Sequence, residues 1–185
     1  MKDTPVKTLM VPLAEYATVA QDATLYEAIL ALENAQAEFD ETRYRHRAIL
    51  VYDENEKIVG KLSQMDIIKA TEPDYGDMVS GMNLSRFGIS NGYIADTLRQ
   101  YDFWNRPLDQ LCATAGRQKV ADIMYSPTQE EYIRDDASLQ EAIHRFIIGH
   151  HHSLLVTGNE EIVGVLRLVD VFAAVCQTMK EAFED

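Results

Sequence analysis

Two stretches of the 185-residue chain place an aspartate six residues after a glycine: Gly60-Lys61-Leu62-Ser63-Gln64-Met65-Asp66 and Gly164-Val165-Leu166-Arg167-Leu168-Val169-Asp170. At a strand-to-helix junction Ser63 can cap the helix, and Asp66 then falls at the third helical position, where its charge suits the dipole. That reading accounts for both residues without a ligand. A helix start usually attracts phosphate, but a carboxylate there repels one, so a ligand at this place must offer hydroxyls, as a ribose does. In the second stretch Arg167 stands at the hydroxyl position, a side chain able to reach a phosphate or to fill the space.

Histidines form the second constellation. Four of the five, His46, His150, His151 and His152, directly precede the apolar runs Ala48 to Tyr52 and Leu154 to Val156, and His46 is flanked by Arg43, Arg45 and Arg47. Three readings stay open for them: an anion contact, a solvated approach to a strand, and transition-metal ligation by the triple histidine, which has no cysteine in its run and no assignable carboxylate. An imidazole contact would make phosphate affinity vary with pH near neutrality. His144 reads as a surface or boundary residue of a helix.

The elements that position these residues come from an internal repeat. Gln21 to Ile29 answers Asp135 to Ile143, and Ile58-Val59-Gly60 answers Ile162-Val163-Gly164; the first copy carries about ten extra residues, placed near Ala35 to Arg45. Thr24-x-x-Glu27 and Ser138-x-x-Glu141 read as capping boxes, each followed by helical apolar spacing. Gly149 stands where a helix terminator belongs. Two apolar runs split by a polar turn follow in each copy, Ala48 to Tyr52 with Ile58 to Leu62, and Leu154 to Val156 with Ile162 to Leu168, and read as strand pairs. Helices over Gln64 to Ala70 and Leu168 to Met179 close the copies. Residues 71–118 do not repeat: Pro73 and the glycines 76, 81, 88 and 92 break the first half, and Ile94, Leu98, Tyr101, Leu108, Leu111 and Cys112 suggest short amphipathic helices.

Composition bounds the function. With 30 acidic against 17 basic residues the net charge is -13, which disfavours neutralising a long run of phosphates and hence nucleic acid as a partner. An apolar fraction of 46% is enough for a packed core. The start of the chain lacks a signal-like apolar stretch, Cys112 and Cys176 form no metal-ligand spacing, and the run Ile162 to Cys176 is charged and too short to span a bilayer. A cytoplasmic protein with no metal is expected. No phosphate loop, nucleophile elbow or zinc motif is present, so no catalytic residue is assigned.

The duplicated order, with Val6-Lys7-Thr8-Leu9-Met10 and Val120-Ala121-Asp122-Ile123-Met124 opening the copies and each copy closing on the glycine-to-aspartate stretch, resembles a tandem pair of cystathionine beta-synthase (CBS) domains, a Bateman module. The resemblance covers about 6–70 and 120–175. It implies an α+β fold, close to α/β in its alternation, of two pseudo-symmetric β-α-β-β-α repeats: repeat 1 over 1–70, a helical insert over 71–118 and repeat 2 over 119–185, packed as one module. It further implies a stand-alone regulatory protein holding an adenine nucleotide, AMP, ADP or ATP, or a relative such as S-adenosylmethionine, between the repeats. One cleft would use Ser63 and Asp66 with Tyr132 and Ile133 against the base and His151 and His152 near the phosphates. The mirror cleft would use Asp170 and Arg167 with Thr18, Val19, His46 and Arg47; His46-Arg47 matches the family's phosphate pair better than His151-His152 does. A homodimer through the helices, with the 169–179 segment as a contact, and output to an unidentified protein partner complete the expectation. A ligand-free dimerisation or scaffolding protein is the competing class.

Overall fold

The computed structural model describes residues 4–38, 44–72 and 107–184. Repeat 1 runs β2 (Thr18–Ala20), α1 (Leu25–Glu38), β3 (Ala48–Tyr52), β4 (Ile58–Ser63) and α2 (Gln64–Ala70), preceded by the short strand β1 (Val11–Pro12). Two helices, α3 (Leu108–Ala115) and α4 (Val120–Ile123), lead into repeat 2: β5 (Tyr132–Arg134), α5 (Leu139–Gly149), β6 (Ser153–Gly158), β7 (Glu161–Arg167) and α6 (Leu168–Glu184). The β-α-β-β-α order expected from the repeat is present twice. Each first helix buries its apolar stripe, Leu25 and Ala28 in α1 and Leu139, Ala142 and Phe146 in α5.

The helix starts differ in detail. Thr24 and Glu27 form the full box, with the Glu27 carboxylate accepting from the Thr24 amide at 2.7 Å and Thr24 Oγ1 accepting from the Glu27 amide at 3.3 Å. In repeat 2 Ser138 Oγ accepts from the Glu141 amide at 3.2 Å, but the Glu141 carboxylate turns to Arg145 at 2.9 Å, so the expected second box is half made. The helix stop also differs. Gly149 is the last helical residue, and His150 takes the left-handed cap at φ 51°. The glycine is needed for another reason, because a Cβ there would strike the His151 imidazole. The closing helix α6 continues past Met179 to Glu184, and Leu168 opens it rather than ending β7. Part of the surplus in repeat 1 is helix, since α1 has 14 residues and α5 has 11; most of the remainder lies between Glu38 and His46, where 39–43 are outside the described residues. Ile94, Leu98 and Tyr101 also lie outside them.

Strand pairing is identical in the two halves. β2 runs parallel to β3 and β3 antiparallel to β4, with Val51 opposite Gly60; β5, β6 and β7 repeat this with Val156 opposite Gly164. What the sequence boundaries do not show is an exchange of opening segments. Residues 5–12 pack on repeat 2: the Val6 amide donates to Ala137 O at 2.9 Å, β1 pairs with β7, and Val6, Leu9 and Met10 join the core built on Leu154, Leu166 and Phe146. Residues 119–125 pack on repeat 1 in the same way, with the Val120 amide donating to Ala23 O at 2.9 Å and Tyr125 bridging to Lys61. Val6 and Val120 are both fully buried, and each contributes roughly 1.5–3 kcal/mol to holding the halves together. The end of the segment expected as an insert belongs to this core as well, with Ala115 buried and Gln118 Nε2 donating to Ala70 O at 2.9 Å.

The exchange explains both signature glycines. A Cβ on Gly60 would lie 2.5 Å from Met124 Sδ, and one on Gly164 would lie 2.5 Å from Val11 O. Each glycine is the place where the other half's opening segment crosses. A third apolar cluster, Val11, Tyr16, Leu50, Leu155 and Val165, joins the two sheets face to face.

Candidate functional site

Alternation along the strands puts Lys61 and Ser63 on the same face of β4 as Leu50 on β3, toward the other repeat; Tyr132 on β5 and Arg167 on β7 share the corresponding face of repeat 2. Ala48 pairs with Ser63 as Ser153 pairs with Arg167, and the Gln64 amide donates to Arg47 O as the Leu168 amide donates to His152 O. His46 therefore corresponds to His151, and Arg47 to His152. The two pairs are thus equivalent in place, and they differ in type at the second position, where Arg47 answers His152.

At the first cleft Ser63 and Asp66 form a reciprocal cap. Ser63 donates to Asp66 Oδ2 from its amide at 2.9 Å and its hydroxyl at 2.6 Å, and Ser63 Oγ accepts from the Asp66 amide at 3.3 Å. Asp66 Oδ1 takes no hydrogen bond among the described residues. Two residues before Ser63, Lys61 forms an ion pair with Glu131, which is 1% exposed and sits next to Tyr132. Glu131 Oε1 also accepts from the Thr128 amide at 3.2 Å, and the Tyr125 hydroxyl bonds to the same carboxylate. Burial pushes the Glu131 carboxyl up, but the hydrogen bonds from Lys61, Tyr125 and Thr128 and the Lys61 charge outweigh it, and the net value lies below the usual carboxylate range. His151 Nδ1 is 3.9 Å from Glu131 Oε2, while its buried Nε2 has no hydrogen-bond partner among the described residues. His152 is exposed.

The mirror cleft is wired differently. Arg167, 4% exposed, donates to Asp170 Oδ2 from Nε at 2.5 Å and to Oδ1 from Nη2 at 2.7 Å, and its Nη1 reaches Tyr44 O in repeat 1 at 2.6 Å. Both oxygens of the second aspartate are taken. Buried His46 packs on Tyr16, with ring centroids 4.6 Å apart. Burial raises the Tyr16 hydroxyl to about 12, with Arg167 working against that shift and Asp170 adding to it. Arg45 and Arg47 are exposed.

Val19 and Ile133 are buried in the cores of their own repeats, so of each pair only Thr18 and Tyr132 turn a side chain toward the facing repeat. Two open cavities of about 380 Å³ flank these strands: one is lined by Glu15, Tyr16, Thr18, Ala31, Ala35 and Glu38, the other by Tyr132, Ile133, Arg134, Glu141, Arg145 and Thr157 among others. Neither includes Ser63, Asp66 or Asp170. No group of three or more metal-ligating side chains converges among the described residues. His150, His151 and His152 do not form one: the first and last are exposed and the middle one is turned onto Gly149.

Lys61, Tyr125 and Glu131 escaped the sequence reading. The signal was in the repeat itself, where Lys61 stands opposite Val165 and Glu131 opposite Ala17, so that one half alone introduces a complementary charge pair at positions the other half keeps apolar.

A family model described as CBS domain matches residues 6–72 and 120–176. Among solved structures, a CBS domain-containing protein of unknown function from Bacillus anthracis str. Ames Ancestor superposes with a TM-score of 0.61 at 16% identity, covering 95% of both chains. CBSX2 in complex with AMP gives 0.57 at 18% identity over 95% of this chain and 98% of that one. The CBS domain of a bacterial CNNM/CorC family Mg²⁺ transporter in complex with ATP gives 0.58 at 16% identity, covering 95% of this chain and 89% of that one. No curated protein matches. With two matched segments spanning most of its length in duplicate order, the chain belongs to the CBS domain family as a tandem pair.

Proposed function

We propose that the chain is a regulatory module that binds an adenine nucleotide in the cleft of Ser63 and Asp66 and passes occupancy to a partner protein. One observation carries this reading: Asp66 keeps Oδ1 available for a ribose hydroxyl, whereas Asp170 has both oxygens committed to Arg167. Tyr132 then lines the base side, and His151 and His152 stand at the phosphate side. Thr18, His46, Arg47 and Asp170 form a second cleft that Arg167 holds shut, with Val19 behind it in the core of repeat 1. Two of the structural neighbours are complexes with AMP and with ATP, which supports the ligand class.

The module acts as a homodimer. Ile68 on α2 and Phe172 on α6, each 62% exposed and at equivalent places in the repeats, together with Met65 and Met179, supply apolar surface for pairing. No helix among the described residues is long and apolar enough to cross a membrane, which suits a cytoplasmic role.

Calorimetric titration with AMP, ATP and S-adenosylmethionine tests the reading. Binding that disappears in Asp66→Ala and weakens in Ser63→Ala supports it. Absence of any binding at millimolar ligand contradicts it and leaves the scaffolding alternative, which the exposed helix faces also suit.

A further inference from the structure

The charges around the two clefts are divided in an unusual way. The cleft with the available carboxylate, at Asp66, has Lys61 and His151 gathered at Glu131, and the exposed His152 follows His151 in the chain. Lys61 is committed to Glu131, and His151 lies 3.9 Å from the same carboxylate oxygen. The other cleft has Ala17 in place of Glu131 and Val165 in place of Lys61, and its aspartate is closed by Arg167. The buried charge pair is thus found on one side of the pseudo-twofold only.

We infer that the Asp66 cleft selects an adenosine-based ligand of low negative charge, a nucleoside monophosphate over a triphosphate, and that Glu131 sets this selectivity. The inference rests on the nucleotide reading above. A phosphate brought to His151 comes beside a buried carboxylate to which the Lys61 charge is already committed. One phosphate is accommodated by the two imidazoles. Each further phosphate adds negative charge near Glu131, where burial weakens solvent screening, and like charges so placed discriminate strongly against the more charged ligand. Glu131 does not have to touch the ligand to do this. It acts by withholding the Lys61 charge.

Adenosine, AMP and ATP are titrated in magnesium-free, low-salt buffer into the wild-type protein and into two near-isosteric variants. The wild type is expected to bind AMP about tenfold or more tightly than ATP. Glu131→Gln keeps a hydrogen-bonding group beside Lys61, Tyr125 and Thr128 but releases the Lys61 charge, so ATP affinity rises about tenfold, AMP rises less and adenosine stays constant. Lys61→Gln moves ATP in the opposite direction, which keeps the test decisive if the first variant folds poorly. A purely structural role for the pair would move all three ligands together and overturn the inference. So would a wild type that binds ATP as tightly as AMP, or an ATP:AMP ratio untouched by both substitutions. Failure of adenosine and AMP to bind at all is a different result, which sinks the nucleotide reading itself.

Discussion

Repeat 1 and repeat 2 have the same register, the same glycine beneath a crossing segment and the same backbone bond from helix start to strand start, yet they differ at almost every position that faces the clefts. Ser63 answers Arg167, Lys61 answers Val165 and Glu131 answers Ala17 at equivalent positions of the two repeats. The positions that match are those where backbone meets backbone, where a close-packed interior tolerates no change of volume. The positions that diverge are at the rim of the inter-repeat core, where a side chain changes charge without moving a strand. Symmetry here is a property of the scaffold, and asymmetry a property of the clefts.

The largest expected difference between the halves comes from the glycines. Gly164→Ala drives a methyl against the backbone oxygen of Val11, which cannot move without breaking β1 from β7, and should cost about 3 kcal/mol in urea denaturation. Gly60→Ala meets the flexible Met124 side chain first and should cost roughly half as much. Equal losses would mean that the two crossings are packed alike.

Next comes the charge pair. Glu131→Ala leaves Lys61 half-enclosed without its partner and should destabilise by about 3 kcal/mol, while adding Lys61→Val, which copies the apolar arrangement of the other half, should recover most of that loss. If the double variant is no better than the single, the pair is not a self-contained replacement for Ala17 and Val165.

A smaller effect follows from pH. The Glu131 carboxyl is lowered in the folded protein, so the stability it contributes is present above the usual carboxylate range and is lost as pH falls through that range to the lower folded value. Thermal melts of wild type and Glu131→Gln should therefore differ at pH 7, and the gap should narrow as pH falls below about 4. A gap that stays constant down to pH 3 would contradict the ionised form of Glu131 in the fold.

Much of the scaffold was legible because its signals are local. The Thr24-Glu27 and Ser63-Asp66 caps each span three residues, and the strand pairs are short apolar runs around a turn. The exchange of opening segments was not legible, since aligning Val6 with Val120 shows that they are equivalent but not which core each enters. Helix termination misled for a physical reason: Gly149 looked like a left-handed cap, but the space it leaves is used by the His151 ring, and His150 adopts the strained backbone instead. In the site, Ser63 and Asp66 stood out by spacing alone. Lys61 and Glu131 did not, being 70 residues apart and joined only through the packing of two repeats. Arg167 was visible as a departure, but its paired hydrogen bonds to Asp170 depend on a rotamer that no sequence displays.

The unequal clefts make a count the most direct measurement: the number of AMP molecules bound per chain in the wild type and in Arg167→Ser, which gives the second aspartate the same serine that caps the first. One AMP per wild-type chain and two per variant chain, falling back to one in Arg167→Ser with Asp170→Ala, is the expected result. Two per wild-type chain, or one in a folded Arg167→Ser variant, would contradict the assignment of Arg167 as the residue that closes the second cleft.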